Sequence, residues 1–84
     1  MYKIDYDKQP LKFLDNIPKN EREKIKNEIE SLAENPRKFG VIKLVNSDPI
    51  QYRTRQGNYR IIFRIEDGIL RVVIIKIFIR GDGY

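Results

Sequence analysis

Alternating apolar and polar residues fill the second half of the chain and predict three successive β-strands. These strands span Ile50–Arg55, Tyr59–Glu66 and Ile69–Ile79. Gln56-Gly57-Asn58 and Asp67-Gly68 separate them, and both are typical of short hairpin connections. The three strands are therefore expected to form an antiparallel meander. The last strand is almost wholly apolar, which favours a central position in the sheet.

The first half of the chain adopts a helical period after one short strand. Tyr2–Tyr6 alternates and predicts an N-terminal strand, and Asp7 is a plausible N-cap for a short helix. Ile17-Pro18 ends that helix, and Lys19–Glu34 then repeats apolar residues at helical spacing as far as Asn35-Pro36. Two antiparallel helices joined by a tight turn are expected.

Together these elements predict one α+β domain over residues 1–84. Its order is an N-terminal strand, an antiparallel helical hairpin and a three-stranded antiparallel meander, all the strands forming one curved sheet. The segment 37–49 is irregular, and no strand is predicted there. Because the two helices can cover only one face of the sheet, the other face is expected to be open for binding.

Residues two apart along a strand share one face of the sheet. In the second meander strand, Ile61 and Phe63 are expected to face the helices. In the third, an apolar set is expected there too: Val73, Ile75, Ile77 and Ile79. The opposite face is expected to carry Arg53, Arg55, Arg60, Arg64, Lys76 and Arg80, interleaved with Ile62, Ile74 and Phe78. A single β-bulge would exchange some of these assignments.

The positive charge of the chain is concentrated in the second half, which contains the predicted meander. The net charge is +5, and residues 49–84 carry seven Lys or Arg against three Asp or Glu, which accounts for +4 of it. A sheet face rich in arginine favours a polyanion, because the guanidinium fork matches phosphate oxygens and stacks on bases. Open sheets with basic and aromatic residues are common platforms for single-stranded RNA. The alternative is that the basic residues only keep the protein soluble and bind no polyanion.

Several classes of protein are disfavoured by what the sequence lacks. There is no cysteine, hence no disulfide and no thiolate metal site, and no cofactor or metal is expected. No apolar run approaches the roughly 20 residues that span a bilayer, so no membrane association is expected. The N-terminus lacks the apolar core of a signal peptide, and a cytoplasmic location is expected.

Three short patterns in the chain resemble the RelE/ParE superfamily of toxins from type II toxin–antitoxin systems. They are Tyr52-Arg-x-Arg55, Gly57-x-Tyr59-Arg60-Ile-Ile-Phe63 and Arg80-x-x-x-Tyr84, and Glu34-Asn35-Pro36 precedes them as in the family. The resemblance implies the fold predicted above. It also implies one of two activities, since the RelE branch cleaves mRNA in the ribosomal A site and the ParE branch inhibits DNA gyrase. A cognate antitoxin neutralises both.

The resemblance also implies residue roles. Arg60 matches the arginine that holds the scissile phosphate, and Arg53 and Arg55 match positions that bind the RNA backbone. Arg80 and Tyr84 match the remaining catalytic positions, with the tyrosine in proton transfer. By their position on the basic face, Arg64, Lys76 and Phe78 are added as RNA-binding candidates. The chain departs from many relatives in having Ile79-Arg80 in place of a His-Arg pair, and it contains no histidine.

The expected function is that of a toxin acting as a ribosome-dependent, metal-independent mRNA endoribonuclease, with mRNA on the ribosome and a cognate antitoxin as partners. Neighbouring arginines would lower the pKa of Tyr84 and make it a feasible general base, and Asp82 is a second candidate. Two alternatives stay open. One is a ParE-like gyrase inhibitor without nuclease activity, and the other is a degenerate relative that binds RNA without cleaving it.

Overall fold

The structure, a computed structural model, describes residues 1–81, which form two helices and five strands. The elements are β1 (Lys3–Tyr6), α1 (Lys8–Asp15), α2 (Lys19–Glu34), β2 (Ile42–Lys43), β3 (Tyr52–Gln56), β4 (Tyr59–Glu66) and β5 (Arg71–Ile79), with a 3₁₀ turn (Asp67–Ile69) between β4 and β5. This order confirms the predicted α+β class, the helical hairpin and the meander. Tyr84 and Asp82 lie outside the described residues.

The five strands form one sheet in the order β1-β5-β4-β3-β2. β1 runs parallel to β5, and every other neighbouring pair is antiparallel. The two helices connect β1 to the rest of the sheet. β2 was not predicted, because it is a two-residue strand whose pairing with Tyr52 and Arg53 depends on the path of the preceding loop.

The core lies between the two helices and one face of the sheet. α2 contributes Ile25, Ile29 and Leu32, whose spacing of four and three residues places them on one side of the helix. The core residues are Leu14, Ile25, Ile29, Leu32, Ile61, Phe63, Val72, Ile74 and Ile77. Full burial of each large side chain contributes about 1.5–3 kcal/mol, so this single layer of contacts is the main source of stability.

Arg22 links α2 to the end of α1 and to the turn between the two helices. Its Nε donates to the carbonyl oxygen of Leu14 at 2.8 Å, and its Nη2 donates to that of Ile17 at 3.2 Å. Both carbonyls lie where α1 ends, and terminal carbonyls of a helix have no partner within it. One side chain from α2 therefore satisfies the end of α1 and holds the two helices together.

A register shift between β4 and β5 alters the predicted faces. Ile62 pairs with Lys76, whereas the next residue, Phe63, pairs with Ile74. Ile75 is thus an extra residue on β5, and the period-two alternation reverses across it.

The predicted face of the first half of β5 is consequently wrong. Val72 and Ile74 are fully buried in the core, and Val73 lies opposite Arg64 on the other face. We expected Val73 and Ile75 beneath the helices and Ile74 on the basic face. In the second half of β5, Ile77 is in the core as expected, whereas Ile79 at the end of the strand is exposed.

Four strand boundaries also differ from the prediction. β1 begins at Lys3 rather than Tyr2, β3 spans Tyr52–Gln56 rather than Ile50–Arg55, and β5 begins at Arg71 rather than Ile69. The connection after β4 is a 3₁₀ turn in place of a two-residue hairpin, and Leu70 closes it with a left-handed φ of 50°. Ile69 and Leu70 were placed in the strand because they are apolar. In the structure they belong to the turn, and both are exposed.

Beyond the end of β1, a side chain pairs with the backbone of β5 on the side that β1 occupies. β1 pairs with β5 only as far as Ile74. Beyond it, Gln9 Nε2 donates to the carbonyl oxygen of Ile77 at 2.7 Å, and the Ile77 N–H donates to Gln9 Oε1 at 2.8 Å. The amide of Gln9, one residue into the first turn of α1, thereby substitutes for the next residue of a partner strand.

Candidate nucleic-acid interface

Arg60 lies on β4, on the sheet face opposite the helices. Its direct neighbours across the sheet are Arg55 on β3 and Phe78 on β5. Only 9% of Arg60 is exposed. Its Nη1 lies 3.5 Å from the carbonyl oxygens of Gly57 and Tyr59, which orient the guanidinium group from the hairpin side.

Three other arginines surround this guanidinium group. Burial lowers the pKa of Arg60 from its ordinary value, and the positive charges of Arg53, Arg80 and Arg55 lower it further. An arginine side chain nevertheless stays charged in a protein at neutral pH. Four cations therefore converge on one region of the sheet, and we call Arg53, Arg55, Arg60 and Arg80 the arginine cluster.

The arginine cluster is not neutralised by the described part of the chain. The ion pairs found within residues 1–81 use other cations, namely Arg37, Lys38, Arg64 and Arg71. Like charges this close repel each other, and at physiological ionic strength the Debye length of about 8 Å screens them only in part. The cluster can therefore bind an anion that comes from outside this part of the chain.

The far end of the same face is arranged differently. Glu66 accepts a hydrogen bond from Arg71 Nε at 2.6 Å and one from Arg64 Nε at 3.1 Å, and Arg71 also pairs with Asp5 at 3.5 Å. These two arginines, Arg71 before Arg64, lower the pKa of Glu66. We predicted one continuous basic face, but the structure divides it into an uncompensated part around Arg60 and a neutralised part that contains Arg64.

Lys76 and Phe78 lie within the uncompensated part. Lys76 Nζ is 5.4 Å from the centre of the Phe78 ring, a cation–π distance. Phe78 is only 7% exposed and Ile62 only 3%. Lys76 thus lies over the Phe78 ring, and Phe78, directly opposite Arg60 on the neighbouring strand, is buried rather than an open stacking platform.

Arg80 follows the end of β5 and is exposed. Its backbone N–H donates to the carbonyl oxygen of Asn58 at 2.6 Å, which ties it to the hairpin that also orients Arg60. The structure thus brings Arg80 to the predicted site. The predicted roles of Tyr84 and Asp82 fall on residues outside the described part of the chain.

A groove beside the arginine cluster was missed by the sequence reasoning. It has a volume of about 580 Å³ and is lined by Phe39, Ile42, Arg53 and Arg55, among others. Phe39 is fully exposed. An aromatic residue within the irregular segment 37–49 was the available signal, but its position beside β3 depends on the fold of that loop.

Within residues 1–81, no group of three or more His, Cys, Asp or Glu side chains is placed to hold a metal ion. Neither helix of this region is long and apolar enough to cross a membrane. Among the described residues, the site presents guanidinium and ammonium groups, which bind anions and stabilise negative charge.

The sequence model of the family described as the ParE toxin of the type II toxin–antitoxin system parDE matches residues 4–84. The chain belongs to the RelE/ParE superfamily of toxins. Among curated proteins, this RelE-like toxin is 32% identical over 87 residues to a Methanocaldococcus jannaschii protein assigned as toxin RelE1. That alignment covers 98% of the chain and 92% of the relative.

Solved structures place the toxin on the RelE-like branch. RelE in the archaeal RelE–RelB complex of Pyrococcus horikoshii is 30% identical to it, with a TM-score of 0.81 and 98% of each chain covered. The isolated Escherichia coli RelE toxin has a TM-score of 0.82 over 99% of this chain and 88% of its own. At 24% identity, the latter comparison supports the fold alone.

Proposed function

We propose that this RelE-like toxin is a ribosome-dependent mRNA endoribonuclease that inhibits translation by metal-independent cleavage of a phosphodiester bond. The observation that carries the proposal is Arg60, nearly buried and surrounded by three further arginines without a neutralising carboxylate in residues 1–81. Such a site matches a group whose negative charge increases during the reaction, as that of a phosphate does.

The proposed reaction uses the 2′-hydroxyl group of the substrate. Its oxygen attacks the adjacent phosphorus, the bond from phosphorus to the 5′ oxygen breaks, and a 2′,3′-cyclic phosphate and a 5′-hydroxyl end result. One proton leaves the attacking hydroxyl group, and one is delivered to the departing oxygen. Arg60 and Arg80 stabilise the non-bridging oxygens, and we assign proton transfer to Tyr84.

The burial of Arg60 is what makes it effective in this role. A donor already fixed and desolvated stabilises developing charge without reorganising during the reaction. Loss of one such donor typically lowers kcat by about 10²–10³. Arg53 and Arg55, which are more exposed, are suited to holding the RNA backbone, and the ribosome supplies the positioning of the codon.

An antitoxin partner is part of the proposal. The Pyrococcus horikoshii relative was crystallised in a complex with RelB. We extend this arrangement to the present toxin, in which acidic residues of an antitoxin would neutralise the arginine cluster. The proposed substrate also places the protein in the cytoplasm, where ribosomes are found.

The decisive experiment is cleavage of an mRNA on programmed ribosomes, mapped by primer extension. The matched pair of variants is Arg60→Ala and Arg64→Ala. Both remove one arginine from the same face of β4, but Arg64 is already paired with Glu66 at 3.1 Å. Codon-phased cuts that disappear with Arg60→Ala and persist with Arg64→Ala support the proposal. Intact mRNA with the wild-type protein contradicts it.

Inhibition of DNA gyrase is the second candidate, because the matching family model is that of ParE. A supercoiling assay run on the same preparation separates the two. Blocked supercoiling with intact mRNA would assign the toxin to gyrase. RNA binding with neither activity would identify a degenerate relative.

A further inference from the structure

Phe39 lies fully exposed in the loop after α2. A phenyl ring left in water gives up the free energy that burial would provide, and a ligand that covered it would recover that energy. The next residue, Gly40, has a φ of 96°, a conformation that favours glycine. The loop therefore turns sharply directly after the exposed ring.

The groove beside Phe39 is basic. None of its lining residues carries a carboxylate, and four of them are Lys or Arg. Two of the four are engaged elsewhere, since Arg37 pairs with Asp67 at 2.9 Å and Lys38 with Glu28 at 2.8 Å. Arg53 and Arg55 belong to the arginine cluster, and their side chains connect the groove to Arg60.

The geometry of the sheet sets the distance between groove and catalytic centre. Arg55 lies directly opposite Arg60, and Ile42 on β2 lies directly opposite Arg53. Neighbouring strands are about 4.8 Å apart, so the groove lies roughly two strand spacings, or about 10 Å, from Arg60. A single-stranded nucleic acid whose phosphate contacts Arg60 would reach the groove with a nearby nucleotide.

We propose that Phe39 and this groove form a stacking subsite for the base of a nucleotide flanking the phosphate held by Arg60. The ligand is single-stranded RNA, because an exposed aromatic ring beside uncompensated arginines matches a base and its phosphate together. An acidic peptide would neutralise the charge, but it would not bring a planar base and a phosphate to the ring and the arginines together. The inference rests on the proposed RNA substrate, and it adds a contact to the base itself.

The test measures binding without cleavage. The probe is a fluorescein-labelled 2′-O-methyl oligoadenylate of about ten nucleotides, matching the size of a single-strand site. Its blocked 2′ oxygen cannot attack the phosphate. Fluorescence anisotropy at low salt is measured for the full chain and for Phe39→Leu, Phe39→Trp and Val45→Ala. Val45 is an exposed residue of the loop after β2, and the groove is not lined by it.

We expect Phe39→Leu to weaken binding about tenfold, the size of one lost base–aromatic stack. Phe39→Trp should retain the affinity of the wild type, and Val45→Ala should not change it. On an abasic oligonucleotide of the same length, the wild type and Phe39→Leu should bind equally. Thermal unfolding should be the same for all four proteins, because the Phe39 ring is not buried.

Three results would overturn the subsite: no binding by the wild type, equal binding by Phe39→Leu, or a loss that persists on the abasic probe. An acidic amphipathic peptide is the second probe. If Phe39→Leu loses only the peptide, the surface belongs to a protein partner and the proposal is wrong. If the toxin did not cleave mRNA on ribosomes but Phe39→Leu still weakened RNA binding, the proposed nuclease activity would be wrong. The proposed stacking subsite would stand.

Discussion

Arg55 and Arg60 lie directly opposite each other across the β3–β4 pair, two cations on the same face of neighbouring strands. Directly opposed like charges destabilise a sheet, and a favourable pair is worth about 0.2–1 kcal/mol. The arrangement therefore reduces the stability of the free protein. An anion held between the two side chains would recover that loss.

Arg55→Gln should consequently make the free protein more stable and a weaker binder of RNA. We expect the Tm to rise by about 3 °C, which corresponds to roughly 0.5 kcal/mol in a domain of this size. Calorimetry in low salt measures the change. Lys26→Gln, which removes one positive charge from an exposed position of α2, is the control. An equal rise in both variants would attribute the effect to net charge instead.

Arg60→Lys tests whether the site needs a guanidinium fork or only a positive charge. Lysine keeps the charge but offers a compact ammonium group that cannot bind two phosphate oxygens in one plane. We expect single-turnover cleavage on ribosomes to slow by at least about tenfold, with a smaller effect on toxin binding to the ribosome. Wild-type rates in this variant would show that Arg60 acts as a general electrostatic attraction only.

The bulge at Ile75 gives a prediction about stability. Ile74→Ala removes a fully buried core side chain and should cost about 3 kcal/mol, whereas Ile75→Ala, at a half-buried position, should cost less than about 1.5 kcal/mol. Urea unfolding of the two variants measures both values. The opposite ranking would mean that β5 keeps an uninterrupted alternation.

Asp67 ties three parts of the chain together. Arg37 donates to both of its carboxylate oxygens, at 3.0 and 2.9 Å, and the Tyr2 hydroxyl group donates to Oδ1 at 2.7 Å. These contacts, that of Arg37 before that of Tyr2, lower the pKa of Asp67 from 3.8 to about 2. Because the folded state prefers the ionised form, this contribution to stability is present above about pH 4 and is lost as the pH falls towards 2.

Asp67→Asn should therefore be less stable than the wild type at neutral pH, and the difference should shrink between about pH 4 and pH 2. Chemical unfolding across this pH range measures it. Asp48→Asn, which removes an exposed carboxylate from a loop, reports the effect of losing one negative charge alone. If the Asp67→Asn difference did not vary with pH, the carboxylate charge would play no part.

Local sequence signals were sufficient for most of the fold. α2 has the predicted bounds, Lys19–Glu34, because prolines flank a regular apolar period, and β4 has the predicted bounds because glycine-containing turns flank its alternation. β2 and the shift at Ile75 were missed. Both depend on how segments that are distant in sequence pair with each other. Neither changes the alternation of apolar and polar residues in its own segment.

The site was predictable to the same extent. Alternation within β3 and β4 correctly brought Arg53, Arg55 and Arg60 to one face. The neutralisation of Arg64 was not predicted. Glu66 pairs with both Arg64 and Arg71, and Arg71 lies on β5, beyond the turn that follows β4. Individual strand patterns show which side chains share a face, whereas the pairing of charges between strands requires the register.

The amide of Gln9 has a consequence for assembly. An unpaired stretch at the edge of a sheet invites strand addition by another molecule, which leads to aggregation or domain exchange. By occupying both backbone groups of Ile77, this side chain blocks that route beside β1. The opposite margin of the sheet, β2, is only two residues long and offers little to extend. At these two places the sheet therefore offers little unpaired backbone for the addition of a further strand.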